Sequence, residues 1–313
     1  MVFMKAKTEY GLKGTQRLPL HSRIFRAKMS YLMLAPYMFF FAMLVIIPII
    51  MSMGLSFTYF NMLETPKWTG MVNYTRLLLD DDVFIIAIRN TFLFAFITGP
   101  ISYVLCFLFA WIINDLSPRV RAFVTLVFYA PSISGQVYVI WRFIFSPDSY
   151  GIANGFLMRW GFIKEPFLWL QDARMSLGIL IMVQLWLSLG TGFLAFIAGL
   201  QNVDKSLYES GAIDGIKNRW MELWYITLPS MAPMLLFGAV IQIGTSFAVS
   251  DVSIQLAGFP SVKYAAHTIA VHAYDYGFIR FEMGYASAIS VVLFIMMLIT
   301  HKLVSRLLSK VGT

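Results

Sequence analysis

The sequence predicts an all-α integral membrane protein with six transmembrane helices, and three observations predict it. The chain of 313 residues is 59% hydrophobic and only 13% charged, where a soluble domain of this size carries about 25% charged residues. Its mean hydropathy is +0.72. Six apolar stretches reach the roughly 20 residues that a helix needs to span the hydrocarbon, and the charged residues fall between them. The net charge of +8 has the sign for nucleic acid, but the basic residues sit at the N-terminus and in connecting segments. Nucleic acid is therefore excluded as a partner, and membrane lipid is the surrounding medium. The single cysteine, Cys106, lies inside an apolar run and reads as a small buried side chain.

Residues 1–29 form a basic tail, with Lys5, Lys7, Lys13, Arg17, Arg23, Arg26 and Lys28 against one acid, Glu9. A secretory signal would also begin this way. The apolar run that follows, 31–57, is too long for one, and no small-residue cleavage site closes it. The run is read as a retained first span whose basic flank stays in the cytoplasm. Five further spans are expected over 90–113, 122–145, 177–200, 231–250 and 283–303, so that 30–313 is one six-span domain. Six crossings put both termini on one side. The segments assigned to the inside hold 15 of the 24 Lys and Arg residues, which favours cytoplasmic termini.

The outer segments are longer. Residues 58–89 carry Trp68, Gly70, Asn73 and Tyr74, then Asp80, Asp81 and Asp82 before Asn90 opens the second span. Residues 146–176, rich in Gly, Pro and aromatics, are expected to form a cap with short helices. In 251–282, His267 and His272 read as ordinary surface histidines. They lack the Cys or paired acid of a metal site, and no metal ligand is assigned.

Between the fourth and fifth spans lies a polar segment, 201–233, carrying Asp204, Lys205, Glu209, Asp214, Lys217, Arg219 and Glu222. Asp204 or Ser206 can cap a helix start, Leu207, Ala212, Ile213 and Ile216 recur near helical spacing, and Gly215 offers an exit. A short half-apolar helix with balanced charge suits a groove on a partner protein better than a lipid surface. An ordinary ordered loop is the plainer alternative.

The spans carry almost no ionisable residues, which counts against an ion-coupled secondary carrier. Their uncharged polar residues are patterned. Gln184, Ser188 and Thr191 recur at i, i+4 and i+7 on the fourth span; Gln242, Thr245 and Ser246 recur at i, i+3 and i+4 on the fifth. Amide and hydroxyl groups suit a saccharide, and Trp186 would stack on a sugar ring if turned inward. Helix–helix hydrogen bonding, with Gly190, Gly192 and Gly244 allowing close approach, is the structural alternative. Pro131 and Gly135 in the third span, and Pro229 and Pro233 at the fifth, permit kinks. No phosphate-cradling G-x-x-x-x-G-K-[ST] string occurs, and no nucleophile motif. The chain offers no catalytic residue and no cofactor site of its own.

The run Glu209-Ser210-Gly211-Ala212-Ile213-Asp214-Gly215, followed by Ile226-Thr227-Leu228-Pro229, resembles the cytoplasmic EAA loop of permease subunits in binding-protein-dependent ABC importers. The lead-in Ala198, Gly199, Leu200, Gln201, Leu207 and Tyr208 resembles the carbohydrate-type branch, which includes maltodextrin, glycerol-phosphate and alginate importers. Ser210, Gly211 and Ile216 depart from the usual alanines, and Gly211 weakens a helix by about 1 kcal/mol relative to alanine. The resemblance implies the ABC importer permease fold with a cytoplasmic coupling helix, in which Glu209, Ala212, Asp214, Gly215, Leu228 and Pro229 couple to an ATPase. It also implies partners: two ATPase subunits holding ATP and Mg, a second permease subunit, and an extracytoplasmic solute-binding protein. The location implied is the bacterial inner membrane. The substrate implied is an oligosaccharide, neutral or anionic such as a uronate oligomer, with Arg142, Lys263 and Arg280 outward. The resemblance further implies that the fourth and fifth spans line the pathway and tilt as the coupling helix moves. A multispan enzyme acting on lipid-linked sugar is the alternative of a different class; its acids would have to be Asp80–Asp82.

Overall fold

The computed structural model describes residues 28–308. The basic tail, but for its last two positions, and the chain end with Lys310 lie outside the described residues. The chain divides into two compact units at Met51/Ser52. The first holds most of α1 (Lys28–Leu55), a helix with Pro36 inside it and a wider turn at Ala42–Ile46. None of its side chains is buried. A helix apolar all round with its side chains left unburied requires lipid or another chain as its surroundings.

The second unit is built on α3. It opens with a small hairpin, β1 (Thr58–Tyr59) against β2 (Lys67–Trp68), with Thr58 opposite Trp68. This corrects the all-helical expectation in one detail. The Asn61 side chain, accepting from the N–H groups of Leu63 and Glu64, makes the turn. After α2 (Val72–Leu79), α3 runs Asp82–Asn114 for 33 residues, about 50 Å at helical rise. It starts eight residues before the expected span because Asp81 caps it, accepting from the Phe84 N–H at 2.9 Å. Its buried face sets the small residues Ala87, Ala95, Ser102 and Ala110 among Phe84, Phe94 and Phe107, and the small ones let neighbouring helices approach closely.

The third expected span is not one straight helix. α4 (Pro118–Ile133) and α5 (Val137–Ile144) meet at 82°. Pro131 removes one N–H from the ladder two residues before α4 ends, and the Ser132 hydroxyl donates to the Tyr129 carbonyl at 2.7 Å. α6 (Ile152–Arg159) lies in the segment 146–176, whose hub is the buried Asn154, donating to the carbonyls of Ser146 and Phe167 and accepting from Trp169 Nε1. The fourth span is α7 (Ser176–Leu187) and α8 (Thr191–Gln201), interrupted at 188–190. After α9 (Lys205–Ile213), α11 (Ala232–Phe247) takes the place of the expected fifth span, and α10 (Arg219–Ser230) meets it at 80° across the Pro229–Pro233 stretch. α12 (Ile269–Tyr274) precedes α13 (Met283–Leu308). Among the described residues, four helices are thus long and apolar enough to cross a membrane, or six if each bent pair counts once.

α8 and α11 pack on α3 and on each other, and α13 on α11 and α12. Phe196 of α8 is the knob of this packing. It lies edge-on to Tyr103 and Phe107, and a Cβ added at Gly238 of α11 would sit 2.3 Å from its ring.

The two histidines are not at the surface. His267 and His272 are each 1% exposed, because 251–282 folds back as a packed cap. His267 Nε2 and His272 Nδ1 are 3.0 Å apart, and His272 Nε2 lies 3.0 Å from Asp81 Oδ2. The same carboxylate accepts from Tyr285 at 2.7 Å, joining the start of α3 to α12 and α13.

Candidate functional site

The polar segment between the fourth and fifth spans folds as a helix with both ends closed. Asp204 accepts from the Ser206 N–H at 3.0 Å and starts α9. At the far end Gly215 takes φ +94°, a left-handed conformation natural to glycine. The Ile216 N–H donates to the Gly211 carbonyl at 2.9 Å and the Gly215 N–H to Ala212 at 3.4 Å, the paired bonds of a Schellman stop. The departure at Gly211 also has a packing reason. A Cβ there would lie 2.7 Å from Ile226 Cδ1 and 3.0 Å from Ile216 Cδ1, so α10 seats directly on the α9 backbone.

α9 is tied inward by one side and open on the other. Tyr208 Oη and the buried Thr227 Oγ1 are 3.0 Å apart, linking α9 to α10. Arg219 pairs with Asp115 at the end of α3 and stacks over Trp111, 4.5 Å to the ring centroid. Glu209, Ala212, Asp214 and Gly215 are exposed. So are Leu207 at 44% and Ile213 at 87%, giving α9 an outward apolar surface flanked by acids. Leu228 is half-buried, and Pro229 is exposed at the bend into α11.

Five of the seven polar or aromatic positions singled out on the spans share one cavity of about 330 Å³: Gln184, Ser188, Thr191, Gln242 and Thr245. The break at 188–190 places Ser188 and Thr191 at a non-helical corner, and the cavity still gathers them with α11. Gln242 donates to Cys106 Sγ at 3.2 Å, and the Cys106 thiol donates to the Ser188 carbonyl at 3.2 Å. Ser188 Oγ donates to Leu185 O and Thr245 Oγ1 to Ile241 O. Both hydroxyl oxygens keep acceptor capacity. No Asp, Glu, Lys, Arg or His lines this cavity; it can recognise hydroxyl and amide groups and holds no charge.

Two positions lie elsewhere. Trp186 packs edge-on against Trp141 at 5.3 Å and does not line the cavity. Ser246 is buried on the opposite side of α11, donating to the Gln242 carbonyl at 2.7 Å and facing Gly99 of α3. Conversely, Tyr129 and Ser132 of α4 complete the cavity wall. Their i, i+3 spacing beside Pro131 was the available signal, but only the tertiary arrangement brings α4 against α8 and α11.

The cap is the other concentration of titratable groups. Burial, then the nearness of His272, pushes the His267 imidazole down to about 4. His272 is also lowered by burial, against the pull of Asp81. Burial pushes the Asp81 carboxyl up, but hydrogen bonds from Tyr285, the Phe84 N–H and His272 outweigh it and hold it below its ordinary range. Among the described residues no group of three or more His, Cys, Asp or Glu is placed to hold a metal ion.

Known proteins bear directly on this arrangement. Residues 119–311, from α4 onward, match the family described as binding-protein-dependent transport system inner membrane component. The probable ABC transporter permease protein YesP of Bacillus subtilis (strain 168) is 31% identical over 276 residues, 87% of each chain. The arabinooligosaccharides transport system permease protein AraP of the same organism is 30% identical, over 86% of this chain and 85% of that one. The lactose transport system permease protein LacF of Rhizobium radiobacter is 28% identical, over 85% of this chain and 89% of that one. A chain in the crystal structure of a bacterial ABC transporter involved in the import of the acidic polysaccharide alginate superposes with a TM-score of 0.74. It is 24% identical and the match covers 94% of this chain and 99% of that one, a likeness of fold. The chain belongs to the family of inner membrane components of binding-protein-dependent transport systems, and is a multi-pass membrane protein.

Proposed function

We propose that this chain is one of two permease subunits of an ATP-driven importer that moves a saccharide through the membrane by alternating access. ATP and Mg belong to two ATPase subunits on the cytoplasmic side, where α9 seats in a cleft with Glu209, Ala212 and Asp214 outward. An extracytoplasmic solute-binding protein delivers the sugar to the outer cap. Both termini face the cytoplasm in this reading.

The observation that carries it is the continuous route from α9 to the cavity. α9 ends at Gly215, bears on α10 through Gly211 and the Tyr208–Thr227 pair, and α10 turns at Met231 into the helix that holds Gln242 and Thr245. A displacement of α9 therefore reaches the cavity wall through packed helices and a bend between two prolines. The uncharged lining supports hydroxyl recognition by this subunit; any acidic group on the sugar is read elsewhere. Names of the relatives AraP and LacF support a saccharide.

The test is substitution at Glu209 in the complex reconstituted with its binding protein. Glu209→Ala should lower uptake and sugar-stimulated ATPase by roughly 5–150-fold, the span of a coupling energy of about 1–3 kcal/mol, with membrane insertion intact. Unchanged uptake would remove the coupling role from α9. Purification without any ATPase would sink the importer reading itself.

A further inference from the structure

We propose that the outward face of α10 is a membrane-interface anchor, with Trp220, Trp224 and Tyr225 seated in the lipid headgroup layer at the end of the bundle that carries α9. The helix turns an apolar face to the bundle and an aromatic face away from it, with the half-buried Glu222 on the flank between them. Leu223, Ile226 and Thr227 are buried against the rest of the unit, while Trp220, Trp224 and Tyr225 are 60%, 64% and 70% exposed. Two tryptophans and a tyrosine on a water-facing helix would be costly; each has an apolar body and one polar tip, the form that settles at a membrane–water boundary.

The geometry agrees with the residue types. α10 meets α11 at 80°, so when α11 crosses the bilayer α10 lies nearly in its plane. Trp111, at the last turns of α3, contacts Trp220 with ring centroids 5.3 Å apart, and so the end of a second span reaches the same level. No hydrogen bond within the described residues engages Trp220 Nε1, Trp224 Nε1 or the Tyr225 hydroxyl, which leaves these tips for headgroups and interfacial water. Lys217, exposed just before the helix, and Arg219, which shares its charge with Asp115, place cations beside the aromatics, as an anionic headgroup layer favours.

The anchor fixes the lever between α9 and the cavity to the lipid surface, so α10 pivots in the headgroup plane and does not slide. This surface is distinct from the exposed side of α9, whose Leu207 and Ile213 are flanked by acids. The proposal rests on membrane insertion alone and would stand if the transport reading failed.

Nitroxide labels at Trp224→Cys and Tyr225→Cys, and at Ile213→Cys for comparison, test it in a Cys106→Ser background. The chain is purified with whatever subunits it carries and placed in nanodiscs of phosphatidylcholine and phosphatidylglycerol. Collisions with oxygen should exceed those with a water-soluble nickel chelate at 224 and 225, and not at 213. Nickel-dominated collisions at 224 and 225 would mean solvent, and low collisions with both would mean a covering protein; either overturns the anchor. Because cysteine replaces the anchoring ring itself, a second measurement uses the native indoles. Lipids brominated near the headgroup should quench wild-type fluorescence more than that of the Trp220→Phe, Trp224→Phe double variant. Equal quenching of the two would overturn the proposal. Neither readout involves uptake, so failure here leaves the import reading intact.

Discussion

Gly215 and His267 show how single side chains set local limits. At φ +94° a Cβ at position 215 meets the following carbonyl, a strain of about 1–2 kcal/mol. Gly215→Ala should therefore loosen the end of α9 by about that much and lower uptake, with span insertion unchanged; a transport assay beside a membrane-fraction blot checks both halves. Wild-type uptake would show that the stop of α9 does not matter. His267 makes a pH argument. Its folded value of about 4 lies below the ordinary 6.5, so the fold favours the neutral ring and the unfolded chain takes up the proton first. Stability is fully present above pH 6.5 and falls as pH drops toward 4, by up to about 1.4 kcal/mol per pH unit. Thermal unfolding in detergent between pH 7.5 and 4.5 should show this slope, and His267→Gln should make it shallower, leaving the share that the buried His272 contributes with the same sign.

Between elements, the tightest constraint is where α8 crosses α11. Phe196 occupies the space that any side chain at 238 would need. Gly238→Leu should force the helices apart at a cost of about 1–3 kcal/mol, lowering the unfolding midpoint and, because Gln242 lies one turn further along α11, weakening sugar-stimulated turnover as well. A variant as stable and as active as the parent would mean that this contact does not position the cavity. The bent pairs belong to the same scale. Prolines 131, 229 and 233 were visible in the sequence as places where backbone bonds are lost, but the angles of 82° and 80° are products of packing, since a proline permits a bend without setting its size.

For the molecule as a whole, the test is sidedness. In a Cys106→Ser background, Ser210→Cys on the exposed side of α9 should react with a membrane-impermeant thiol reagent in inside-out vesicles and resist it in intact cells, while Leu63→Cys beyond α1 should do the reverse. Labelling of Ser210→Cys from outside would invert the proposed orientation and detach α9 from any cytoplasmic ATPase. By itself the sequence determined the membrane character, the apolar runs, the capped helix from Asp204 to Gly215 and the polar residues flanking it, because hydropathy, periodicity and caps are properties of neighbours along the chain. The tertiary structure alone decided that Trp186 and Ser246 leave the cavity, that Tyr129 and Ser132 enter it, and that His267 and His272 are buried beneath Asp81. Each of those outcomes depends on which helix packs beside which, a choice made by side chains far apart in sequence and carried by no local pattern.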